Sequence, residues 1–288
     1  MMRIALPNKG RLADGALELF ELAGLKPEFR ADRALVARLG SDFQAIFVRA
    51  QDIPGFVADG AAEFGITGRD LVEESHRSEV GELLDLGFGQ CRLIVGVRDE
   101  STIKEPSQLV AGARVATSFP NLAVRFFQSL KIPIQVVSVS GAAEIAPHLG
   151  VADVIVDLAS TGSTLRVNGL KEIGTILEST ALLIGNQAAL EVKDARQSKD
   201  ELVAALESVL QARKKRYLMS NVPRDRLDEV RQVLPGISGP TIVDVLDKDT
   251  WVAVHAVVDA DAVYQTIARL KELGAEGILV TQIERLMP

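Results

Sequence analysis

Cysteine is nearly missing from this chain of 288 residues, with Cys91 the single one. That excludes an internal disulfide and any cysteine-rich metal site. Histidine is scarce too. Of His76, His148 and His255, no two stand at the HExxH spacing of a histidine-bound zinc. No apolar run reaches the roughly 18 residues that a membrane helix needs. The opening "MMRIALPNKGRL" lacks the apolar core and cleavage site of a secretory signal. The expectation is a cytoplasmic protein without a membrane partner. Positive charge is also in deficit: 32 Lys+Arg stand against 39 Asp+Glu, a net charge of −7. An acidic surface repels a duplex, so no nucleic-acid partner is expected, although a local basic pocket for a small anion remains compatible. Two common phosphate motifs are absent as well. There is no GxxxxGK[ST], and Gly87-Phe88-Gly89 lacks the third glycine of a dinucleotide fingerprint.

What is present is an ordinary globular balance, 47% apolar and 25% charged, so a packed core is expected along most of the chain. The length suggests two or three domains. Short apolar strands alternate with helical patterns up to about residue 180. The strands fall at 3–6, 45–49, 64–67, 92–97, 114–117, 134–139, 152–158 and 180–184. Such alternation signals an α/β sandwich with a largely parallel sheet. Helical stretches include 13–23, with Leu17, Phe20 and Leu22 inward, and 120–130, with Pro120 in the first turn. A seam falls at "LGFGQC", and composition changes again after Gly185. The expected arrangement is two lobes, 1–91 with 181–213 and 92–180, enclosing a cleft. The helix of 181–213 carries Leu202, Leu206, Val209 and Leu210 on one face.

From 214 to 288 the order is β-α-β-β-α-β, that of a ferredoxin-like domain. Strands are expected at 217–222, 241–246, 251–258 and 278–283. Pro223 is expected to open one helix with Asp225 in its first turn. The other, 261–273, has an apolar stripe of Val263, Ile267, Leu270 and Leu273, with Gly274 as its cap. No catalytic constellation is visible in this part.

Three clusters could carry chemistry. In "VIVDLASTGSTLRVNGL", an apolar strand ends near Asp157 and gives way to Ala159, Ser160, Thr161, Gly162, Ser163 and Thr164 before a helix. Small residues let the backbone approach an anion, and the hydroxyls add donors. A carboxylate at a strand's carboxyl end lies where open α/β sheets bind ligands. Pattern alone leaves two readings: an anion site, or a helix capped by Ser160 or Thr161 with Asp157 capping the turn. In "PNKGRL", Lys9 and Arg11 flank a glycine after the first strand; the alternatives are a polyphosphate site or a solvated turn. In "VRAQDIPGFVADGAAEFGITGRD", Arg49 ends a strand, Asp52 suits an N-cap and Asp70 caps the next turn. Capping explains Asp52 but explains Arg49 poorly. Cys91 reads as a buried, inert thiol, and His148 as a packing residue in an apolar helix.

These residues resemble a known family. Glu144, Gly150, Ala152, Ile155, Asp157, Leu158, Thr161, Gly162, Thr164, Leu165, Asn168 and Leu170 match the signature of the ATP phosphoribosyltransferases. "ALPNKGRL", "RAQDIPGFVADGAAEFGITGRD", "GQCRL" and "ATSFPNLAVRFF" are similar to that family in the same order. The C-terminal "PTIVDVL" and "GAEGILV" resemble its long form, so the likeness spans essentially the whole chain. Glu63, where many relatives carry aspartate, is a conservative departure. The resemblance implies a two-lobed core like a type II periplasmic binding protein, plus a C-terminal ferredoxin-like (ACT-like) regulatory domain. It implies ATP and phosphoribosyl pyrophosphate as substrates, magnesium as cofactor, histidine as feedback inhibitor, and dimers and hexamers of one chain. Carried over by position, Asp157 addresses the ribose and Ala159, Ser160, Thr161, Gly162, Ser163 and Thr164 the 5-phosphate. Lys9, Arg11 and Arg49 meet the polyphosphates, with Asp70 and Arg92 on the ATP side. Asp157, Arg49 and Lys9 are the catalytic candidates, Asn221 and Thr241 the histidine contacts. No protein metal ligand is assigned. Two other classes stay open: a different phosphoribosyltransferase, and a solute-binding sensor of the same fold.

Overall fold

The computed structural model describes residues 1–29, 34–191, 193–237, 239–246 and 250–287. The elements in chain order are β1 (Met2–Pro7), α1 (Ala13–Leu22), β2 (Pro27–Phe29), β3 (Val36–Leu39), β4 (Phe43–Val48), α2 (Ile53–Ala58), β5 (Phe64–Gly68), α3 (Arg69–Ser75), β6 (Val80–Asp85) and β7 (Cys91–Arg98). Then come β8 (Ala113–Thr117), α4 (Pro120–Ser129), β9 (Ile134–Ser138), β10 (Val154–Ala159), α5 (Ser163–Val167), β11 (Leu170–Ser179), β12 (Ala181–Asn186) and α6 (Lys193–Arg213). The last are β13 (Lys215–Pro223), α7 (Leu227–Val233), β14 (Thr241–Asp244), β15 (Trp251–Asp259), α8 (Val263–Glu272) and β16 (Glu276–Gln282). The chain divides into two compact units, Met1–Glu18 with Lys26–Asp200, and Leu19–Leu25 with Glu201–Pro288.

The first unit holds two sheets. One has the order β2-β3-β4-β1-β5-β12-β6, the other β11-β7-β10-β8-β9. The chain leaves the first sheet after β6 and returns to it at β12. The expectation of a largely parallel sheet needs correcting, since only β1–β4, β1–β5, β8–β9 and β8–β10 are parallel. The β2–β3–β4 edge and both strands flanking the crossings run antiparallel. Four strands had no counterpart in the sequence reading. β2 and β3 are short and half-polar, β6 (VGELLD) and β11 (LKEIGTILES) carry charges, and two bulges in β11 break the alternation that marks a strand.

Both faces of the five-stranded sheet are buried, as parallel strands under helices require. Leu93, Val95, Val115, Val154 and Val156 build one core, and Ile94, Ala116, Ile155, Ala159 and Leu165 of α5 build the other. Burial of each such Val, Leu or Ile side chain is worth about 2 kcal/mol, so register is strongly fixed; a one-residue slip of β10 would drive Asp157 into the first core. In α1 the buried positions are Ala16, Leu19 and Phe20, whereas Leu22 is exposed. Leu19 therefore replaces Leu22 on the inward face, because the stripe follows i, i+3, i+4 from Ala16.

The second unit carries a sheet of order β14-β15-β13-β16, with all its pairings antiparallel. This is the ferredoxin-like order. Leu218, Val222, Val252, Val254 and Ala256 line the core face, joined by Val230 of α7 and Leu270 of α8. Gly274 closes α8, its N–H donating to the Lys271 carbonyl at 3.0 Å. Pro223 ends β13 rather than opening a helix, and a 3-10 turn, Arg224–Arg226, precedes α7. Among the described residues no helix is long and apolar enough to cross a membrane.

Candidate functional site

The carboxyl ends of β4, β1 and β5 lie side by side, through the register pairs Pro7↔Val48 and Ala5↔Gly65. The Asn8 N–H donates to the Val48 carbonyl at 2.8 Å, which keeps Lys9 next to the end of β4. Arg49 stands there as the residue before the 3-10 turn Ala50–Asp52, and Thr67 Oγ1 donates to the Ala50 carbonyl at 2.8 Å. Lys9 and Arg49 are exposed, and among the described residues no protein group engages either cation.

The other cations of this region are occupied. Arg11 donates to both Asp70 oxygens at 3.2 and 3.4 Å and to the Gly89 carbonyl. Asp70 is fully buried, and Ser179 Oγ donates to it at 2.5 Å. Asp70 thus does not cap α3; Gly68 holds the N-cap position, and the carboxylate turns toward Arg11. Asp52 holds the N-cap position of α2 without a side-chain bond. Arg92 forms a two-pronged pair with Glu172 at 2.7 and 3.0 Å. Burial pushes the Cys91 thiol above its ordinary value, as an inert cysteine requires.

In the five-stranded sheet, Asp157 lies on the α5 side of β10, together with Ile155 and Ala159. Burial raises its carboxyl above the ordinary value; the Leu158 N–H, donating at 2.7 Å, opposes that shift, and the charge of Glu144 adds to it. No cation neutralises Asp157 among the described residues. The chain then turns through Gly162 at φ +70°, where a side chain would be strained, into the five-residue α5. Thr161 Oγ1 accepts the Ser163 N–H at 3.4 Å and lies 2.9 Å from Ser163 Oγ. Thr161 therefore serves the helix start, while the Ser160 and Thr164 hydroxyls are exposed and engage no protein partner among the described residues. The C-terminal end of α5 is tied by Asn168 Nδ2 to the Thr164 carbonyl at 2.9 Å. His148 is exposed rather than packed in a helix; its Nε2 lies 2.7 Å from the Asn168 carbonyl, so it helps to hold this segment.

Ser160 lines a pocket of ≈ 620 Å³ together with Arg69, Gln90, Arg92, Glu178 and Thr180, residues drawn from the ends of both sheets. Arg69 was not singled out in the sequence; Glu82 holds it at 2.8 and 2.9 Å. Ser118 and Ser140 also escaped notice, although register places them at the same edge as Asp157. Their signal was the same strand-then-small-polar pattern, "ATSFP" and "VVSVSG". Among the described residues no three His, Cys, Asp or Glu side chains converge on a metal position.

In the second unit, Asn221 pairs with Ala253 and Thr241 with His255. Facing residues of antiparallel strands share a side, so Asn221, Thr241, Ala253 and His255 occupy the face away from the helices. Tyr217 Oη lies 2.8 Å from His255 Nδ1 on that face.

Comparison with known proteins bears on this arrangement. The family described as ATP phosphoribosyltransferase matches residues 49–208, and that described as HisG, C-terminal domain, matches 212–285. An ATP phosphoribosyltransferase of Gemmatimonas aurantiaca is 58% identical over 293 aligned residues, covering 100% of both chains. One from Methanocaldococcus jannaschii is 43% identical over 288 residues, again covering 100% of both. The ATP phosphoribosyl transferase (HisG:HisZ) complex from Thermotoga maritima contains a chain that superposes with a TM-score of 0.65 at 26% identity, covering 73% of this chain and 99% of that one. The chain belongs to the ATP phosphoribosyltransferase family of enzymes.

Proposed function

We propose that the chain transfers the phosphoribosyl group of phosphoribosyl pyrophosphate to N1 of the adenine of ATP, the first step of histidine biosynthesis. One observation carries this reading. Lys9 and Arg49, which no protein group engages among the described residues, end one sheet, while the other ends in Asp157, which no cation neutralises among those residues, and a hydroxyl-bearing turn. Adenine N1 forms the bond to ribose C1, and the C1–O bond breaks with its electron pair leaving on pyrophosphate. The ribose passes through an oxocarbenium-like transition state, so no protein nucleophile is required. The protein contributes position and charge. The 159–164 turn holds the 5-phosphate, through Ser160 and Thr164 above all, since Thr161 is already engaged. Asp157 accepts from the ribose hydroxyls. Lys9 and Arg49 meet the polyphosphates, and magnesium bound to the diphosphate would neutralise part of its charge. Nucleotide contacts by Arg11, Asp70 and Arg92 would require each to surrender a protein partner; Lys9 and Arg49 surrender none.

Residues 1–91 with 181–213 form one catalytic lobe in this reading, 92–180 the other, and 214–288 a regulatory domain. Histidine binds the regulatory domain at Asn221 and Thr241 and inhibits. The chain works in the cytoplasm as dimers and hexamers. Mixing it with ATP, phosphoribosyl pyrophosphate and magnesium should raise the absorbance of N1-substituted adenine. No signal with ATP, together with turnover of another base, would move the enzyme to a different phosphoribosyltransferase. Asn221→Ala and Thr241→Ala should each raise the histidine concentration for half-inhibition about tenfold, the loss of one hydrogen bond to a charged ligand.

A further inference from the structure

Asp70 is the only Asp, Glu, Lys or Arg among the buried described residues. It joins four separated segments. Its carboxylate takes Arg11 from the turn after β1 and the hydroxyl of Ser179, the last residue of β11. Its own N–H donates back to Ser179 Oγ at 3.0 Å. Arg11 then reaches the Gly89 carbonyl, two residues before β7. Gly89 and Ser179 mark the two places where the chain passes between the sheets. Those passages are also bonded to each other, Ala181 N–H to the Phe88 carbonyl at 2.9 Å and Thr180 Oγ1 to the same carbonyl at 3.0 Å. Two glycines make room for the cluster. A Cβ on Gly68 would lie 2.1 Å from Asp70 Oδ1, and one on Gly89 would lie 3.3 Å from the Arg11 guanidinium.

The same helix reaches the second sheet's layer at its other end. Glu74 of α3 accepts the Asn121 and Leu122 N–H groups of α4, both at 2.9 Å, and Arg125 donates to the Glu73 carbonyl at 2.6 Å. Leu71 packs on the core of the five-stranded sheet. So α3 follows β5 directly, yet it is fastened to the other sheet's layer, with Asp70 at its root.

We propose that Asp70 is a positioning residue: through Arg11 and Ser179 it braces both crossings, and so sets how the edge bearing Lys9 and Arg49 meets the turn bearing Ser160 and Thr164. This rests on the transfer reaction proposed above. A brace differs from a ligand contact in what its loss disturbs. Each substrate alone still finds its own edge, but the two edges no longer meet in register, and the turnover step suffers.

The test uses the full chain with Asp70→Asn, Ser179→Ala and Gly68→Ala, the last displacing the carboxylate without touching its charge. Turnover should fall about tenfold or more, while the Kd of ATP alone and of phosphoribosyl pyrophosphate alone stays within roughly threefold. Spin labels on Glu28→Cys and Gln135→Cys, with Cys91 left buried, should report a broadened distance distribution. Arg11→Gln combined with Asp70→Asn should cost no more turnover than either alone, as partners in one unit do. A tenfold weaker Kd for ATP alone with an unchanged distribution would make Asp70 a nucleotide contact and overturn the proposal. So would unchanged turnover in Gly68→Ala and Ser179→Ala. If the unaltered chain forms no phosphoribosyl-ATP, the functional reading fails instead, and the distance distribution alone decides the brace: broadening upholds it, no change refutes it.

Discussion

At the amino ends of the parallel strands Arg3 and Arg114 are paired, whereas the carboxyl ends carry, besides the paired Arg11 and Asp70, charges that no protein group engages among the described residues. At the amino ends, both sheets use one device. Arg3 near the start of β1 pairs with Glu63, the residue before the neighbouring β5, with Arg3 N–H to Glu63 Oε2 at 2.7 Å and Glu63 N–H back to the Arg3 carbonyl at 3.1 Å. Arg114 near the start of β8 pairs with Asp153, the residue before β10, with the corresponding bonds at 2.9 and 2.9 Å. Burial opposes the charge of Glu63, but the Arg3 hydrogen bonds outweigh it and hold the carboxyl below its ordinary value. Hydrogen bonds from Arg114 do the same for Asp153. At the carboxyl ends, Lys9, Arg49 and Asp157 have no ion-pair partner among the described residues, and the Asp157 carboxyl moves up instead of down. Charges that satisfy one another hold strands together. The charges that no protein group engages among the described residues lie at the end where open sheets bind ligands.

The sharpest way to break that comparison is Asp157→Asn. Loss of a charged acceptor worth about 3 kcal/mol should lower kcat/KM roughly 100-fold. Stability should move the other way. A carboxyl whose folded value is raised binds its proton more tightly in the native state, so stability falls as pH rises through the window between the unfolded and folded values. Asparagine removes that cost while still accepting the Leu158 N–H. At neutral pH the Tm of Asp157→Asn should equal or exceed that of the parent, and below the ordinary aspartate range the two should converge. A variant that melts much earlier at neutral pH would make Asp157 a structural residue.

Next in size is the contrast between free and occupied cations. Arg49→Ala and Lys9→Ala should each reduce kcat/KM about 30-fold, the middle of the range for a hydrogen bond to a charged group. Arg92→Ala should cost less, because its guanidinium must leave Glu172 before it can serve a ligand. Equal losses at Arg49 and Arg92 would show that pairing in this structure does not separate the two kinds of site. Gly162→Val follows. A β-branched residue at φ +70° strains the turn by about 1–3 kcal/mol, which should appear as a roughly tenfold higher KM for phosphoribosyl pyrophosphate.

The carboxyl-end pattern is legible in the sequence because it follows a local rule: an apolar strand, then small donors, then a helix. Asp157, Gly162 and Lys9 all sit where that rule puts them. The pairings were not legible. Nothing local to "KGRL" or "GRDL" says that Arg11 and Asp70 will meet, 59 positions apart, and Ser179 lies a further 109 positions from Asp70. The same long range explains why Asp70 reads as a cap in the sequence although its carboxylate meets Arg11. The strands that periodicity does not mark are β2 and β3, which are short, and β6 and β11, whose charged residues lie at a sheet edge. Glu63, a departure of one methylene from the common aspartate, gains its sense only once Arg3 is seen opposite it.

The smallest effect tests the amino ends. Glu63 and Asp153 have depressed values, so each contributes stability above its unfolded pKa that is lost as pH falls through the lower folded value. Glu63→Gln and Asp153→Asn should therefore flatten the acid limb of the Tm–pH curve, below the ordinary carboxylate range. Both pairs are open to solvent at the arginine, with Arg3 and Arg114 side chains each 40% exposed, so screening keeps each contribution small. Salt should weaken both. The sign separates the two ends: relative to the parent, the amino-end variants fall behind as neutral pH is approached from the acid side, where Asp157→Asn draws level or ahead. If all three shifted the curve in one direction, opposite treatment of charge at the two ends would not hold.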